Sequence, residues 1–246
     1  MESDQRYIFV HIPKTAGLSI RRIFESAFGE NNVSQPFVVS RIDSRQRADL
    51  DRYKMISGHV SALDARHFPN RQLITFLRDP IDRCLSLYSY FRSQPSAPLI
   101  PLGNISNSNR SDEAISLARQ LDPEAFFSHD HPHLVQNLHN RMTWQLGYHA
   151  DYSYRSAVSD EEVYYRALEN LKSYIFIGFY ENLMEDASHL QRRLSAEDQF
   201  VLPNLNRTSN RLHREDVSER TILRLEEITQ WDRRLYDVAR AFQPVG

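Results

Sequence analysis

The sequence has a single cysteine, Cys84, among its 246 residues. One cysteine excludes an intrachain disulfide and fits a reducing compartment. No apolar run approaches the ~20 residues that a membrane-spanning helix needs. The polar residues 1–4 lack the basic start of a signal peptide. These absences predict a cytoplasmic protein that does not enter a membrane.

Excess charge is also missing, since 30 Lys and Arg oppose 32 Asp and Glu for a net charge of −2. Bulk binding of nucleic acid is therefore not expected, and any phosphate must bind at a local basic site. No linker rich in Gly, Ser or Pro divides the chain. We expect one domain over residues 1–246, with a flexible loop at 93–112 where Ser, Pro and Asn are frequent.

The apolar pattern predicts an α/β fold. Four short apolar runs bounded by polar or turn residues predict buried strands at residues 7–12, 54–60, 73–77 and 174–179. Helical patterns are present at residues 19–28, 80–91, 134–146, 160–171, 182–194, 215–227 and 231–242. Strands that alternate with helices indicate a central, mostly parallel sheet flanked by helices.

The first predicted strand is followed by His11-Ile12-Pro13-Lys14-Thr15-Ala16-Gly17 and then by a helix. A Lys-Thr pair at such a junction is typical of phosphate binding, because backbone N–H groups and the helix N-terminus attract an anion there. The phosphate loop of kinases and GTPases reads G-x-x-x-x-G-K-[ST]. Its glycines would fall on Ile8 and Pro13. The sequence therefore predicts a phosphate loop of a different type.

A second candidate phosphate site follows the third predicted strand. Arg78 ends that strand, and Ser86 lies two turns into the next helix. Ligands collect at the carboxyl edge of an open α/β sheet, so this guanidinium and hydroxyl could hold a phosphate apart from the one at Lys14. The alternative for this segment is an arginine in a surface ion pair, with Asp79 starting the helix.

Histidines offer two further candidates. His59 follows a glycine at the end of the second predicted strand. A neutral imidazole can take a proton from an attacking hydroxyl near pH 7, although a histidine there can equally be a structural hydrogen-bonding group. The tract at residues 129–139 holds four histidines, but no cysteine or well-spaced acidic residue completes a tetrahedral set. We expect no metal.

Four stretches carry a resemblance to a known family: HIPKTAGLSI, ISGHV, LRDPIDRCLSLYSYF and NRMTWQLG. Together they resemble the sulfotransferases that use 3′-phosphoadenosine 5′-phosphosulfate (PAPS), in particular the branch containing heparan sulfate and uronyl 2-O-sulfotransferases and their bacterial relatives. The resemblance extends over residues 7–242, with weak matching at 31–52 and 93–130. It implies a P-loop-like sulfotransferase fold and transfer of a sulfuryl group from PAPS to a hydroxyl of a carbohydrate or small metabolite.

The resemblance also implies roles for individual residues. Lys14 would stabilise the leaving group and His59 would be the general base. The acceptor side would include Arg141 and Trp144, although a helix carrying Trp144 could equally be core. From its place before Ile12-Pro13, His11 is expected to orient the loop, and it could also contact the acceptor directly. The acceptor pocket would be built from residues 93–132 and the helix after them. The residues expected to hold the donor are Pro13, Lys14, Thr15, Ala16, Gly17, Leu18 and Ser19 for the 5′-phosphosulfate, Arg78 and Ser86 for the 3′-phosphate, and Arg207, Thr208 and Ser209 in a late loop.

Two other functions fit part of this pattern. One is a small-molecule kinase with an atypical phosphate loop, which would need ATP and Mg²⁺. The other is a non-catalytic module that binds adenosine 3′,5′-bisphosphate, in which His59 has no chemical role. Turnover of the donor against a panel of acceptors separates these functions from sulfuryl transfer.

Overall fold

The structure is a computed structural model that describes residues 5–36, 43–94, 99–106, 110–194 and 211–242. Four strands form one parallel sheet, in the order β2-β1-β3-β4. Their bounds are Arg6–Val10 for β1, Met55–Gly58 for β2, Arg71–Leu77 for β3 and Tyr174–Phe179 for β4. The predicted α/β fold with a parallel sheet is confirmed.

Helices cover both faces of this sheet. In the described part of the chain they are α1 (Gly17–Phe28), α2 (Ser44–Asp51), α3 (Ala62–Ala65), α4 (Pro80–Arg92), α5 (Ser111–Gln120), α6 (Pro123–Phe127), α7 (Pro132–Leu138), α8 (Arg141–Gly147), α9 (Asp160–Leu171), α10 (Leu183–Leu194), α11 (Glu219–Ile228) and α12 (Gln230–Ala241). Short 3₁₀ turns occur at Glu30–Asn32, Leu102–Asn104, Tyr152–Tyr154, Tyr180–Asn182 and Arg214–Asp216.

Strand β1 shows why the predicted strands read as continuous apolar runs. Successive side chains of a strand point to opposite faces, and helices cover both faces here. Ile8 and Val10 belong to the core beneath α8, α9 and α12. Tyr7 and Phe9 belong to the core beneath α1 and α10. A third core joins α4 to α5, α6, α7 and α11.

The single helix predicted over residues 134–146 is wrong, because the chain breaks between α7 and α8. Asn140 has a φ of 46°, in the left-handed region. Its side-chain oxygen accepts hydrogen bonds from the backbone N–H groups of Trp231, at 3.0 Å, and Asp232, at 3.3 Å. The Asp232 carboxylate in turn accepts from the N–H of Thr143 at 2.7 Å. Contacts with the start of α12 therefore end one helix and begin the next.

The loop predicted at residues 93–112 ends earlier than expected. Ser111 and Asp112 belong to the first turn of α5, where Asp112 and Glu113 favour the helix N-terminus. Ile100 is attached to this helix, since its backbone N–H donates to the Ser116 hydroxyl at 2.8 Å. Residues 95–98 and 107–109 lie outside the described ranges.

Cys84 lies in α4 with no exposed surface. Burial raises the pKa of its thiol to about 11, so at neutral pH it is an uncharged packing group. Within the described ranges, no helix is both long enough and apolar enough to span a bilayer.

Candidate functional site

The loop between β1 and α1 is held in an unusual backbone conformation. Lys14 and Ala16 have φ values of 72° and 68°, in the left-handed region that costs an L-residue about 1–2 kcal/mol. Thr15 lies buried between them, and its hydroxyl donates to the carbonyl of Ile12 at 2.9 Å. No side-chain hydrogen bond caps the start of α1 in the described structure. The loop therefore leaves the positive end of a helix available to an anion.

Gly17 is required by a close contact with His11. A Cβ atom at position 17 would lie 1.9 Å from the Nε2 atom of His11. Glycine thus allows the imidazole of His11 to pack against the start of α1. The loop glycine serves this contact, whereas the left-handed turns are made by Lys14 and Ala16.

Arg78 lies at the carboxyl end of β3, next to this loop, and is 2% exposed. Its Nη1 donates to the carbonyl of Lys14 at 2.9 Å, and its guanidinium lies 3.9 Å from the ring centre of Tyr180. Its Nε and Nη2 atoms are buried and have no partner in the described structure. Each such N–H costs about 1–3 kcal/mol when unpaired. A bound oxyanion would satisfy both, since a guanidinium fork matches phosphate geometry.

The charge of the site is concentrated among three basic side chains. Burial, followed by repulsion from Arg211, lowers the pKa of Arg78 to about 10. Burial, together with Arg78 and Arg211, lowers the pKa of Lys14 to about 8. The Lys14 ammonium lies 4.2 Å from the ring centre of Tyr90. Lys14 and Arg78 are cationic at neutral pH, and an anion beside them would relieve the repulsion within this basic cluster.

Arg211 was missed by the sequence analysis. The predicted residues Arg207, Thr208 and Ser209 lie outside the described ranges. Arg211 ends the same stretch, and its Nε is buried without a partner in the described structure. The next residue, Leu212, donates its N–H to the hydroxyl of Ser89 in α4 at 2.9 Å. This hydrogen bond attaches residue 212 to α4, the helix that follows Arg78.

Tyr180 is a second missed residue, and it contacts both arginines. Its ring centre lies 3.9 Å from the guanidinium of Arg78 and 5.8 Å from that of Arg211. It follows β4 directly, at the same carboxyl edge of the sheet as Arg78. The edge rule used for the first three strands would have found it if applied to the fourth.

The remaining predicted donor residues differ in their surroundings. Pro13 is half-buried, Ser19 is buried in α1, and Leu18 is 53% exposed. Ser86 is almost fully buried in α4, and no hydrogen bond joins it to Arg78 in the described structure. The structure thus brings residues 13–19 and Arg78 to one edge.

His59 and His11 form a stacked pair beside the loop, with ring centres 4.7 Å apart. The Nδ1 atom of His59 lies 2.8 Å from the carbonyl oxygen of His11. Because a carbonyl only accepts, Nδ1 carries the proton and the neutral ring keeps Nε2 bare. Burial, followed by the charge of Arg141, lowers the pKa of His59 to about 4. Burial also holds the pKa of His11 well below its usual value.

Of the two predicted acceptor residues in α8, Arg141 faces the histidine pair and Trp144 faces away from it. Arg141 is buried, and its Nε donates to the side-chain oxygen of Gln145 at 3.1 Å. Burial lowers the pKa of Arg141 to about 9. Trp144 is 1% exposed and donates its indole N–H to Asp160 of α9. This contact favours the core alternative for Trp144.

Gln145 is the third missed residue. Its Nε2 donates to the carbonyls of His11 and Val60, each at 3.0 Å.

In the histidine tract, His131 is buried and lies 3.0 Å from Glu113. Across the described ranges, no three His, Cys, Asp or Glu side chains are grouped so that they could hold a metal ion.

The position of the basic site defines a class of protein. Lys14 follows β1 and Arg78 follows β3, two neighbouring strands whose onward connections lead to opposite sides of the sheet. Open α/β sheets bind ligands at this crevice. Unpaired, buried guanidinium N–H groups at that point characterise an anion-binding α/β protein.

A family model described as the sulfotransferase family matches residues 1–239. The chain therefore belongs to the sulfotransferase family, which supports transfer of a sulfuryl group as its reaction class. The predicted family is confirmed at this level, and the likeness to the heparan sulfate and uronyl branch stays a prediction. No curated protein matches the chain.

Proposed function

We propose that the protein transfers a sulfuryl group from PAPS to a hydroxyl group of a carbohydrate or small metabolite. The observation that carries the proposal is the buried Arg78 guanidinium, which has two unpaired N–H groups beside the lysine loop. A donor with phosphate at both the 3′ and 5′ positions needs two separate anion sites. The loop at residues 13–19 and the Arg78 group lie at one sheet edge and would supply two such sites.

The residues present fit this donor. The loop and the N-terminus of α1 would hold the 5′-phosphosulfate, through Lys14 and backbone N–H groups. Arg78 would hold the 3′-phosphate with help from Arg211 and Ser86, and residues 207–209 stay candidates in the late loop. When bound, PAPS supplies an activated sulfuryl group on a phosphate leaving group.

Lys14 would stabilise the charge left on that phosphate. Its pKa of about 8 leaves it protonated at neutral pH. Its lowered value also reflects crowding by Arg78 and Arg211, so an anion gains more from this ammonium than from a solvated one. The loop lacks the glycines of the kinase phosphate loop, and Lys14 itself adopts a left-handed backbone conformation.

His59 would act as the general base. Its bare Nε2 can take the proton of the acceptor hydroxyl as the new oxygen–sulfur bond forms and the bond to the 5′-phosphate breaks. The lowered pKa keeps the ring unprotonated at neutral pH. His11 and Arg141 lie beside it and would face the acceptor.

The proposal is tested by measuring transfer of the sulfuryl group from PAPS. Purified protein is incubated with PAPS and a panel of carbohydrate and small-metabolite acceptors, and products are identified by mass spectrometry. The expected result is a mass gain of one sulfuryl group and release of adenosine 3′,5′-bisphosphate. Parallel reactions with ATP and Mg²⁺ test the kinase. Tight binding of the bisphosphate without transfer to any acceptor would favour the non-catalytic module.

A further inference from the structure

Gln145 is completely buried, and both polar atoms of its side-chain amide have hydrogen-bond partners. Its Nε2 donates to the carbonyls of His11 and Val60 at 3.0 Å, and its Oε1 accepts from Nε of Arg141 at 3.1 Å. The two carbonyls require an NH₂ group, and the guanidinium requires an oxygen. The orientation of the amide is therefore fixed by its neighbours.

These contacts lie where the sheet ends. The N–H of His11 donates to the carbonyl of Gly58 at 3.0 Å, and β2 ends at Gly58. Beyond that point, side chains join the segments that follow β1 and β2. His59 reaches the carbonyl of His11, and Gln145 joins this same carbonyl to that of Val60, the residue after His59. The amide thus fixes the His11 carbonyl that the His59 ring contacts and the carbonyl of the residue that follows His59.

We infer that Gln145 is a positioning residue for His59, which it serves by holding the His11 carbonyl where it accepts the Nδ1 proton. The inference rests on the proposed function only for the role of His59 as base. A carbonyl oxygen has two lone pairs, so it can accept from His59 and Gln145 together. Without the amide, the His11 peptide is free to turn, and the ring can carry its proton on Nε2. A ring in that tautomer cannot accept the proton of a hydroxyl at Nε2.

Nitrogen-15 NMR of the full chain tests this inference without turnover, because protonated and bare ring nitrogens have distinct shifts. The His59 signal is assigned by its loss in His59→Gln. In the wild type we expect the proton on Nδ1 and a bare Nε2. In Gln145→Leu, which removes the amide at similar size, we expect a mixture of both tautomers. Gln145→Glu replaces the NH₂ group with a carboxylate oxygen, which cannot donate to either carbonyl, and should act in the same direction.

Asn170→Leu is the matched control. Asn170 also donates an amide N–H to a carbonyl of α8, that of Leu146, at 2.8 Å. Its loss should leave the tautomer of His59 unchanged. In transfer assays, Gln145→Leu should lower kcat by about 10²-fold, as expected for a displaced reacting group, with little change in KM for PAPS.

Each outcome decides the matter. A wild-type His59 with its proton on Nε2 would overturn the inference even if no variant folds. So would a Gln145→Leu protein that binds bisphosphate normally and keeps the wild-type tautomer. A tautomer change in a protein that transfers no sulfuryl group would uphold the role of Gln145 while removing the proposed function.

Discussion

Arg78 shows how a single residue can define a binding site. Burial removes its guanidinium from water, and only one of its nitrogens, Nη1, has a protein hydrogen-bond partner in the described structure. Two unpaired N–H groups destabilise the unliganded protein. The same two nitrogens would donate hydrogen bonds to a bound anion. Relief of their unfavourable free energy would then add to the affinity for that anion.

This argument predicts the effect of Arg78→Lys. Lysine keeps the charge but loses the planar fork, and charged hydrogen bonds contribute about 1.5–3 kcal/mol each. Binding of adenosine 3′,5′-bisphosphate should weaken by at least about tenfold, while binding of ADP changes little. Calorimetry with both ligands measures the difference. The control is Arg22→Lys, in the exposed face of α1. An equal loss for both ligands would remove Arg78 from the 3′-phosphate site.

Lys14→Ala should affect turnover more than binding. In the proposed function the ammonium would act on the charge that develops on the leaving group, and loss of such a donor typically lowers kcat by about 10²–10³-fold. Backbone N–H groups of the loop would still hold the phosphate. Lys54→Ala is a matched control, since Lys54 also lies over an aromatic ring, that of Phe28 at 5.3 Å, but precedes β2 at the opposite edge of the sheet. Unchanged kcat in Lys14→Ala would contradict its assignment.

The pH profile of transfer should extend further into acid than the sequence suggests. A histidine titrates near 6.5 in water, but burial and Arg141 lower the pKa of His59 to about 4. The base is active when neutral, so kcat/KM should fall only as the pH drops through about 4. Rates of His59→Ala and His11→Ala against pH identify which ring is responsible. An acidic limb near 6.5 would show that the base is solvated.

At the scale of elements, Asn140 determines how α7 passes into α8. The left-handed backbone suits asparagine and glycine, whereas alanine pays about 1–2 kcal/mol for it. Both substitutions lose the same side-chain hydrogen bonds. Asn140→Ala should therefore destabilise the protein by about 1–2 kcal/mol more than Asn140→Gly.

Urea unfolding with a reversed control checks this order. Asn170 is the penultimate residue of α9, where glycine is worse than alanine by up to about 1 kcal/mol. There Asn170→Gly should be the less stable variant. If alanine is better tolerated than glycine at both positions, the backbone at Asn140 is not what sets the helix boundary.

The sequence predicted the elements whose buried residues form a clear apolar pattern, either a short continuous run or a helical period. The four strands and the helices α9 and α12 lie close to their predicted bounds, since buried faces dictate their patterns. Four helices were not predicted: α2, α3, α5 and α6. The helix α3 spans four residues, too few for a period to emerge, and α2 is exposed along most of its length.

The same limit applies to the site. His59 and Arg78 follow strands directly and Lys14 lies in the loop after β1, so the edge of a parallel sheet places them together. Gln145 lies inside a helix, and Arg211 belongs to a stretch whose sequence shows no apolar periodicity. Which side of α8 meets the strand ends depends on the break at Asn140, a tertiary effect that local periodicity does not contain.

At the scale of the molecule, buried histidines link stability to pH. The pKa values of His59, His133 and His139 are lowered to about 4 by burial, and that of His11 is also lowered. Between about 6.5 and 4 the unfolded chain therefore binds more protons than the folded one, so the free energy of unfolding decreases as pH falls through this window. Burial raises the pKa of the carboxyl groups of Asp64 and Asp232, which opposes the trend with fewer groups.

The urea midpoint should accordingly be lower at pH 5 than at pH 7. His139→Asn removes one contributing ring and should flatten the dependence. His189→Asn, at an exposed position of α10, is the control and should leave it as in the wild type. A midpoint that rises on acidification would mean that the buried carboxyls dominate.

The buried thiol of Cys84 can serve as a chemical probe of how often α4 opens. A maleimide can reach this thiol only when α4 opens, and α4 is the helix that follows Arg78 and carries Ser86. The labelling rate therefore reports how often the proposed donor site opens, at one chemically unique atom. If adenosine 3′,5′-bisphosphate binds only the closed form, a concentration of 100 times its Kd should slow labelling about a hundredfold, which corresponds to about 2.7 kcal/mol.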